Sequence, residues 1–230
     1  MSDSIPRISV VIPVLNEAPN IAAALVALQP LRARGHEIIV ADGGSVDATP
    51  TIAESLADHV LSARSGRAAQ MNAGAAVGRG DALVFLHIDT RLPEGAEALI
   101  AGALTGHAWG RFDVRIDSDH ALLAVVGVMM NLRSRLTGIA TGDQSMFMTR
   151  SAFERVKGFP NIALMEDVAM SARLKAIGPP ACLREKVVTS GRRWEKHGVV
   201  STIALMWRLR LLYFLGADPQ RLARIYARGH

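Results

Sequence analysis

At 230 residues, 50% of them apolar and 20% charged, the chain has the balance of a folded globular protein rather than a disordered one, with room for one large α/β domain. A single cysteine, Cys182, excludes an intramolecular disulfide and fits a reducing compartment. The net charge is +5; no uncharged apolar run reaches the roughly 18–20 residues of a spanning helix, and the first residues lack the pattern of a secretion signal, so the expected location is cytoplasmic.

Val- and Ile-rich runs alternate with Ala- and Leu-rich segments of helical period. Residues 8–15 predict a buried strand, 20–34 a helix and 37–42 a second strand. A helix over 48–57, a short strand over 59–63 and a helix over 67–77 follow. Residues 81–89, with the run ALVFLHID, predict a strand. Pro93 sits where a first-turn proline should and opens a helix to about residue 104. The second half is less regular: a strand over 111–116, a strongly apolar helix over 121–136, a strand over 144–149 and a helix over 167–176. The C-terminal stretch predicts one or two amphipathic helices broken near 216–219. This β-α-β-α order argues an α/β fold with a mostly parallel sheet, helices on both faces and a mixed second half. No repeat, linker or composition break divides the chain. It reads as one domain over 1–230, made of a half over 1–106, a second over 107–198 and C-terminal helices over 199–230.

In open α/β sheets a ligand sits beyond the carboxyl ends of the strands. There the sequence places Pro13-Val14-Leu15-Asn16-Glu17, Asp42-Gly43-Gly44-Ser45 and His87-Ile88-Asp89. Ser45 or Asp47 serves equally well as a helix N-cap. Asp42 and Asp89 each end an apolar run, where an unpaired carboxylate is costly unless a partner or a metal satisfies it.

The runs ISVVIPVLNE, EIIVADGGSVDAT, GRAAQMNAGA, LVFLHIDTRLP and MEDVAM, in this order and spacing, resemble the inverting family 2 glycosyltransferases of the GT-A fold over nearly the whole chain. GRAAQMNAGA with FLHIDTRLP is similar to short, single-domain bacterial members associated with arsenosugar biosynthesis. The resemblance implies transfer of a sugar from a UDP- or GDP-linked donor to a small-molecule or lipid-linked acceptor, with Mg²⁺ or Mn²⁺ as cofactor. It implies a donor pocket of Pro13, Asn16, Glu17, Asp42, Gly44, Ser45, Arg67, Asn72 and Ile88. In that pocket Asp42 faces the base or ribose, and Arg67 offers phosphate oxygens a fork of donors. His87-Ile88-Asp89 occupies the place of the family's Asp-x-Asp metal motif, and Asp167 of the Glu166-Asp167 pair matches its general base. Asp143 and Gln144 fall where the family places a loop touching sugar and acceptor; a tight turn is the competing reading. Arg193 and Trp194 resemble a basic-aromatic element that closes over both substrates, with an ordinary helix start as the competitor.

Two departures stand out. The usual second Asp after strand two is Gly43, and the first Asp of Asp-x-Asp is His87. A hard ion prefers oxygen and Mn²⁺ accepts nitrogen more readily, so Asp89 is the expected metal ligand and His87 an optional second. Glu166 orients the acceptor or simply complements a helix dipole.

Other classes fit less well. A dehydrogenase needs G-x-G-x-x-G after strand one and a phosphate-loop enzyme G-x-x-x-x-G-K-[ST]; neither occurs. A nucleotidyltransferase would open with a Gly-rich loop there, and the turn holds no glycine. A nucleotide-sugar or lipid-surface binding module without turnover is the remaining alternative. Residues 184–230 carry ten Lys or Arg against three acids, a stretch suited to phosphates or to acidic lipid headgroups and equally to water. Nucleic acid is not an expected partner, because aromatic residues are only 5% of the chain and bases need stacking surfaces. The run IALMWRLRLLYFL over 203–215 leaves a buried helix, a homodimer helix and a membrane-peripheral helix open.

Overall fold

The computed structural model describes residues 6–228, the side chain of Arg193 excepted. Four strands form the first half of the sheet: β1 (Ile8–Val14), β2 (Glu37–Asp42), β3 (His59–Ser62) and β4 (Ala82–Phe85). They lie in the order β3-β2-β1-β4, all pairs parallel. α1 (Ala18–Ala33), α2 (Thr49–Ala53) and α3 (Arg67–Val77) are the crossovers. β1 is buried along almost its whole length because its residues serve two cores. Val10, Ile12 and Val14 face one layer with Ile21 and Leu25 of α1, and Val11 faces the other with Met71 and Ala75 of α3. A strand covered on both faces must be apolar throughout, which is why its sequence is a continuous run. Gly74 of α3 lets that helix sit close, since a Cβ there would come within 2.4 Å of Val11 Cγ1.

The second half continues the same sheet with β5 (Thr90–Arg91), β6 (Trp109–Asp117), β7 (Phe147–Thr149) and β8 (Ala181–Ser190), giving the full order β3-β2-β1-β4-β7-β6-β8-β5. β7 runs antiparallel to both β4 and β6, and β8 is parallel to β6. The helices here are α4 (Ala96–Leu104), α5 (Ala121–Thr137), α6 (Arg150–Arg155) and α7 (Glu166–Lys175), with one 3₁₀ turn, Gly142–Gln144. α8 (Arg192–His197), α9 (Val199–Phe214) and α10 (Pro219–Arg228) close the chain. Leu209 and Leu222 of the last two pack with Met165 and Val168 in a small core of their own. The expected fold class, with its parallel first half and mixed second half, is the one observed.

Several boundaries differ from the sequence expectation. The fourth strand ends at Phe85, so residues 86–89 form a turn rather than the end of a strand. α4 starts at Ala96, after Gly95 in the left-handed region at φ 68°, and Pro93 lies ahead of it in the loop. The strand expected over 144–149 is a 3₁₀ turn followed by β7. β8 was not expected, and its composition explains why. Arg184, Glu185 and Lys186 interrupt it where the register against β6 shifts between Phe112 and Asp113. Helix α9 is neither fully buried nor fully free: Thr202 and Leu209 face protein, whereas Trp207 is 68% and Phe214 70% exposed.

Candidate active site

A cleft of about 910 Å³ opens beyond the carboxyl ends of β1, β4, β6 and β8, within the size range of small-molecule sites. On its wall Pro13 lies near the end of β1 and Glu17 follows it, His87, Ile88 and Asp89 follow β4, and Thr189 and Ser190 end β8. Ser65, Gly66 and Arg67 bring the N-terminal turn of α3 to the same space, and Met165, Glu166 and Asp167 bring that of α7. Asp143, Trp194 and Arg210 complete it. Residues far apart in sequence thus meet because strand ends and helix starts converge at one edge of the sheet.

Asn16, Asp42, Gly44, Ser45, Asn72 and Gln144 stand back from this wall. The Asp42 carboxylate is taken up by its own turn: it accepts from Gly44 N–H at 3.0 Å, Ser45 N–H at 2.9 Å and the Ser45 hydroxyl at 2.5 Å. The carboxylate that looked costly at a strand end is therefore satisfied locally. Asn16 is held at φ 54°, its backbone N–H donating to Ser45 Oγ and its side-chain oxygen accepting from Val46 N–H. Asn72 clamps Phe159 through both backbone groups. Gln144 is buried, its side-chain oxygen accepting from Thr141 N–H at 3.2 Å. The Arg193 side chain lies outside the described residues. Its neighbour Arg192 links α8 to α1 by donating to Asn20 Oδ1 at 2.8 Å. Gln70, not singled out by the sequence, lines the cleft and donates to the carbonyls of Val14 and Ala41, fixing the ends of β1 and β2 beneath it.

Asp89 is exposed to the cleft rather than buried. Its backbone carbonyl accepts from Ser190 N–H at 3.1 Å, and among the described residues its carboxylate receives only a long contact from the Thr90 hydroxyl at 3.4 Å. Its oxygens are thus available to a hard cation. Among the described residues no three His, Cys, Asp or Glu side chains converge as a ready cation cage. The donor set therefore fits a divalent ion that takes most of its oxygens from a bound ligand or water. The further candidate is His87, which lines the same cleft and whose Nδ1 lies 3.4 Å from Asp143 Oδ1.

Gly142 sits between His87 and Asp167. Its N–H donates to Asp167 Oδ2 at 2.9 Å, and a Cβ there would come within 2.4 Å of the His87 ring. Gly142→Ala should displace that ring and cost about 1–3 kcal/mol. Thermal unfolding checks the cost, and adding His87→Ala should recover part of it, because the two changes share one contact.

Glu166 and Asp167 open α7, where a helix N-terminus favours negative charge. The residue before them, Met165, is held at φ 68°, a conformation that costs a non-glycine side chain about 1–3 kcal/mol and is common at functional sites. Burial raises the Glu166 carboxyl above the usual carboxylate range, and the Asp167 charge beside it adds to this. A raised folded-state value means that Glu166 contributes stability at low pH, which is lost as pH rises through that value. Glu166→Gln should therefore raise stability at neutral pH and flatten its pH dependence above about pH 4.3, the ordinary glutamate value. Melting curves from pH 4 to 8 test this; an unchanged profile would contradict it.

Residues 9–153 match the family model described as "Glycosyl transferase family 2". No curated protein matches the chain significantly. Solved structures share the fold. A mannosyltransferase from Pyrobaculum calidifontis, in complex with GDP-Man and Mn²⁺, aligns at TM-score 0.66 and 20% identity over 99% of this chain and 70% of its own. TarS of S. aureus, residues 1–349, aligns at 0.63 and 14% over 85% of this chain, which spans 64% of the TarS chain. Glucosyl-3-phosphoglycerate synthase from Mycobacterium tuberculosis, with Mn²⁺ and UDP-Glc, aligns at 0.58 and 21% over 80% of this chain and 70% of its own. With the family match covering well over half of the chain and ending beyond β7, and with the cleft at the strand ends, this α/β chain belongs to glycosyl transferase family 2.

Proposed function

We propose that the cleft carries out metal-dependent, inverting transfer of a sugar from a UDP- or GDP-linked donor to an acceptor hydroxyl. The observation that carries this reading is the convergence of Asp89, Arg67 and Asp167 on one cleft in a family 2 chain. On the likeness of GRAAQMNAGA and FLHIDTRLP, the chain is placed among short bacterial members of the arsenosugar-associated type. The chain is read as one domain over 1–230, with a donor half over 1–106, an acceptor half over 107–198 and C-terminal helices over 199–230.

On the donor side, Pro13 and Glu17 border the nucleoside, and Ile88, between His87 and Asp89 in the chain, lines the same cleft. Arg67 and the free N–H groups at the start of α3 hold the diphosphate, since helix N-termini and guanidinium forks both suit phosphate oxygens. Asp89, with His87 as the further candidate, holds Mg²⁺ or Mn²⁺, which when bound offsets the charge that builds on the leaving diphosphate. Asp42, Gly44 and Ser45 act through the turn they form, which shapes the floor next to Asn16. Asn72 keeps the 158–160 segment in place.

On the acceptor side, Asp167 takes the proton of the attacking hydroxyl. A hydroxyl ionises far above neutral pH, so a carboxylate beside it must accept that proton as the new bond forms. Gly142 N–H and Val168 N–H bind the Asp167 oxygens and so aim the carboxylate. Attack opposite the leaving group inverts the anomeric centre. Glu166, whose carboxyl is pushed up by burial and by the Asp167 charge, orients the acceptor beside that base. Trp194 and Arg193 close over the substrates, and Asp143 and Gln144 shape the sugar side through the 141–144 turn. The test is melting temperature across a panel of UDP- and GDP-sugars with Mn²⁺, because a ligand that binds only the native state raises apparent stability. One nucleotide series should raise it, and NMR of the product from the best donor should show an inverted anomer. No response to any donor, or a retained anomer, would overturn the reading.

A further inference from the structure

Large apolar side chains scattered singly over a surface need no explanation, but a continuous set marks an interaction face. Among the described residues fifteen such side chains are exposed; six lie on α5 and four on α9, with Leu215 directly after it. On α5 every exposed residue from Ala121 to Leu132 is apolar. Leu122, Val125, Met129, Leu132 and Leu136 recur at alternating three- and four-residue steps, which is one stripe along a helix, and Val128 widens it. Val200, Ala204, Trp207, Leu211 and Phe214 repeat the pattern on α9. The opposite faces are the ones that pack: Leu123, Met130 and Ser134 of α5 and Thr202 and Leu209 of α9 are buried.

The charge around the stripes has one sign. α5, α9 and α10 contain seven Arg and no Asp or Glu. Arg208 is exposed beside the α9 stripe, and Arg221, Arg224 and Arg228 recur at i, i+3 and i+7 on the exposed side of α10, which packs on α9 through Leu222 and Leu209. Asp218, in the connection between the two helices, accepts from Gln220 N–H. A second copy would bring the same arginines to this face and no acids to receive them, which disfavours self-pairing. A bilayer with anionic headgroups meets both parts, taking apolar side chains at its boundary and cations at its surface. Trp207 is of the residue type that concentrates at that boundary. Among the described residues no helix is long and apolar enough to cross a membrane, so the contact is one of lying on the surface.

We propose that the outer faces of α5 and α9 dock on an anionic lipid bilayer, the apolar stripes entering the boundary between headgroups and acyl chains while Arg208 and the arginines of α10 meet lipid phosphates. The inference stands apart from the sugar-transfer reading, since it uses no residue of the cleft. The inner faces of the same helices border that cleft, Met130 from α5 and Thr202 and Met206 from α9. Docking therefore sets this end of the cleft one helix diameter, roughly 10 Å, from the bilayer.

The test is sedimentation of the full chain with phosphatidylglycerol vesicles and with phosphatidylcholine vesicles, at about 0.1 M and about 1 M salt, between which the Debye length falls from about 10 Å to about 3 Å. The wild type should bind phosphatidylglycerol at low salt, more weakly at high salt, and should bind phosphatidylcholine far less. Changing Arg221, Arg224 and Arg228 together to Gln should weaken binding about a hundredfold, at about fivefold per cation. Val128→Gln with Leu132→Gln, and Trp207→Gln with Leu211→Gln, should each weaken it at least about tenfold. Val26→Gln, at an exposed apolar residue of α1, should not. Lipid-free melting temperatures should stay within about 2 °C, because all these positions are exposed, which separates lost docking from lost folding. Phosphatidylglycerol with brominated acyl chains should quench Trp207 fluorescence, read as the difference from Trp207→Phe. No sedimentation of the wild type with phosphatidylglycerol, equal and salt-insensitive sedimentation with both lipids, binding that survives either apolar pair, or an equal loss in Val26→Gln would overturn the proposal. So would a lipid-free dimer in analytical ultracentrifugation that the α5 or α9 substitutions dissolve, since the stripes would then belong to a second copy.

Discussion

Asp167→Asn should lower turnover by roughly 10² to 10⁴, the usual worth of a general base, while donor affinity stays within a few fold. The substitution keeps the size of the side chain and removes its proton affinity. One acceptor oxygen remains for either Gly142 N–H or Val168 N–H, the two groups that bind the carboxylate at 2.9 and 2.7 Å. The 141–144 turn therefore loses at most one anchor, and the donor side, built on β1, α3 and β4, is untouched. Glu166→Gln is the comparison. Glu166 is held toward its neutral form by burial, and the amide keeps a donor where the acid had one, so a much smaller loss is expected. Single-turnover rates with saturating donor distinguish the two variants. A large loss in Glu166→Gln with Asp167→Asn still active would mean that the base is the other carboxylate.

Asp89→Ala should abolish metal-dependent binding of the nucleoside diphosphate with the fold intact. Among the described residues the carboxylate makes no short hydrogen bond, only the 3.4 Å contact from Thr90, and its place in the fold is set by its backbone carbonyl, which β8 holds through Ser190 N–H. Removing the side chain therefore takes away the cation site and little else; melting without metal should be unchanged or slightly raised, as is common when a functional group is removed. His87→Ala should have the smaller effect on Mn²⁺ dependence, because imidazole nitrogen is the weaker partner for a hard ion. Tight Mn²⁺-dependent binding retained by Asp89→Ala would remove Asp89 from the metal site.

The parts of the fold legible in the sequence were those where burial on both faces forces a long apolar run. β2 and α3 match their expected bounds, and β1 and β3 differ by one residue at the end. β8 was hidden because Arg184, Glu185 and Lys186 sit in an irregular register against β6, so neither alternation nor an apolar run survives. At the site, His87, Asp89, Arg67, Glu166 and Asp167 were found from motif order, and the structure brings all five to one cleft. Neither Asp42 nor Asp89 is the costly unpaired carboxylate that its place at the end of an apolar run suggests. The Asp-Gly-Gly-Ser turn satisfies the first carboxylate itself, a local bonding habit of Asp and Ser. The second was placed on a strand that in fact ends four residues earlier, which leaves it exposed. Arg210 was overlooked, a lone cation within the apolar run of α9: Arg208 is exposed, whereas Arg210 turns into the cleft.

Calorimetric titration of the wild-type chain with UDP and with GDP, each with and without Mn²⁺, tests the account most directly. A cleft whose cation takes oxygens from both Asp89 and the diphosphate must bind ion and nucleotide cooperatively, because each completes the other's site. The predicted result is saturable binding of one of the two nucleotides, strengthened by Mn²⁺ by about 1–3 kcal/mol of coupling or more. Binding of neither nucleotide, or an affinity for one that is the same with and without the ion, would contradict it.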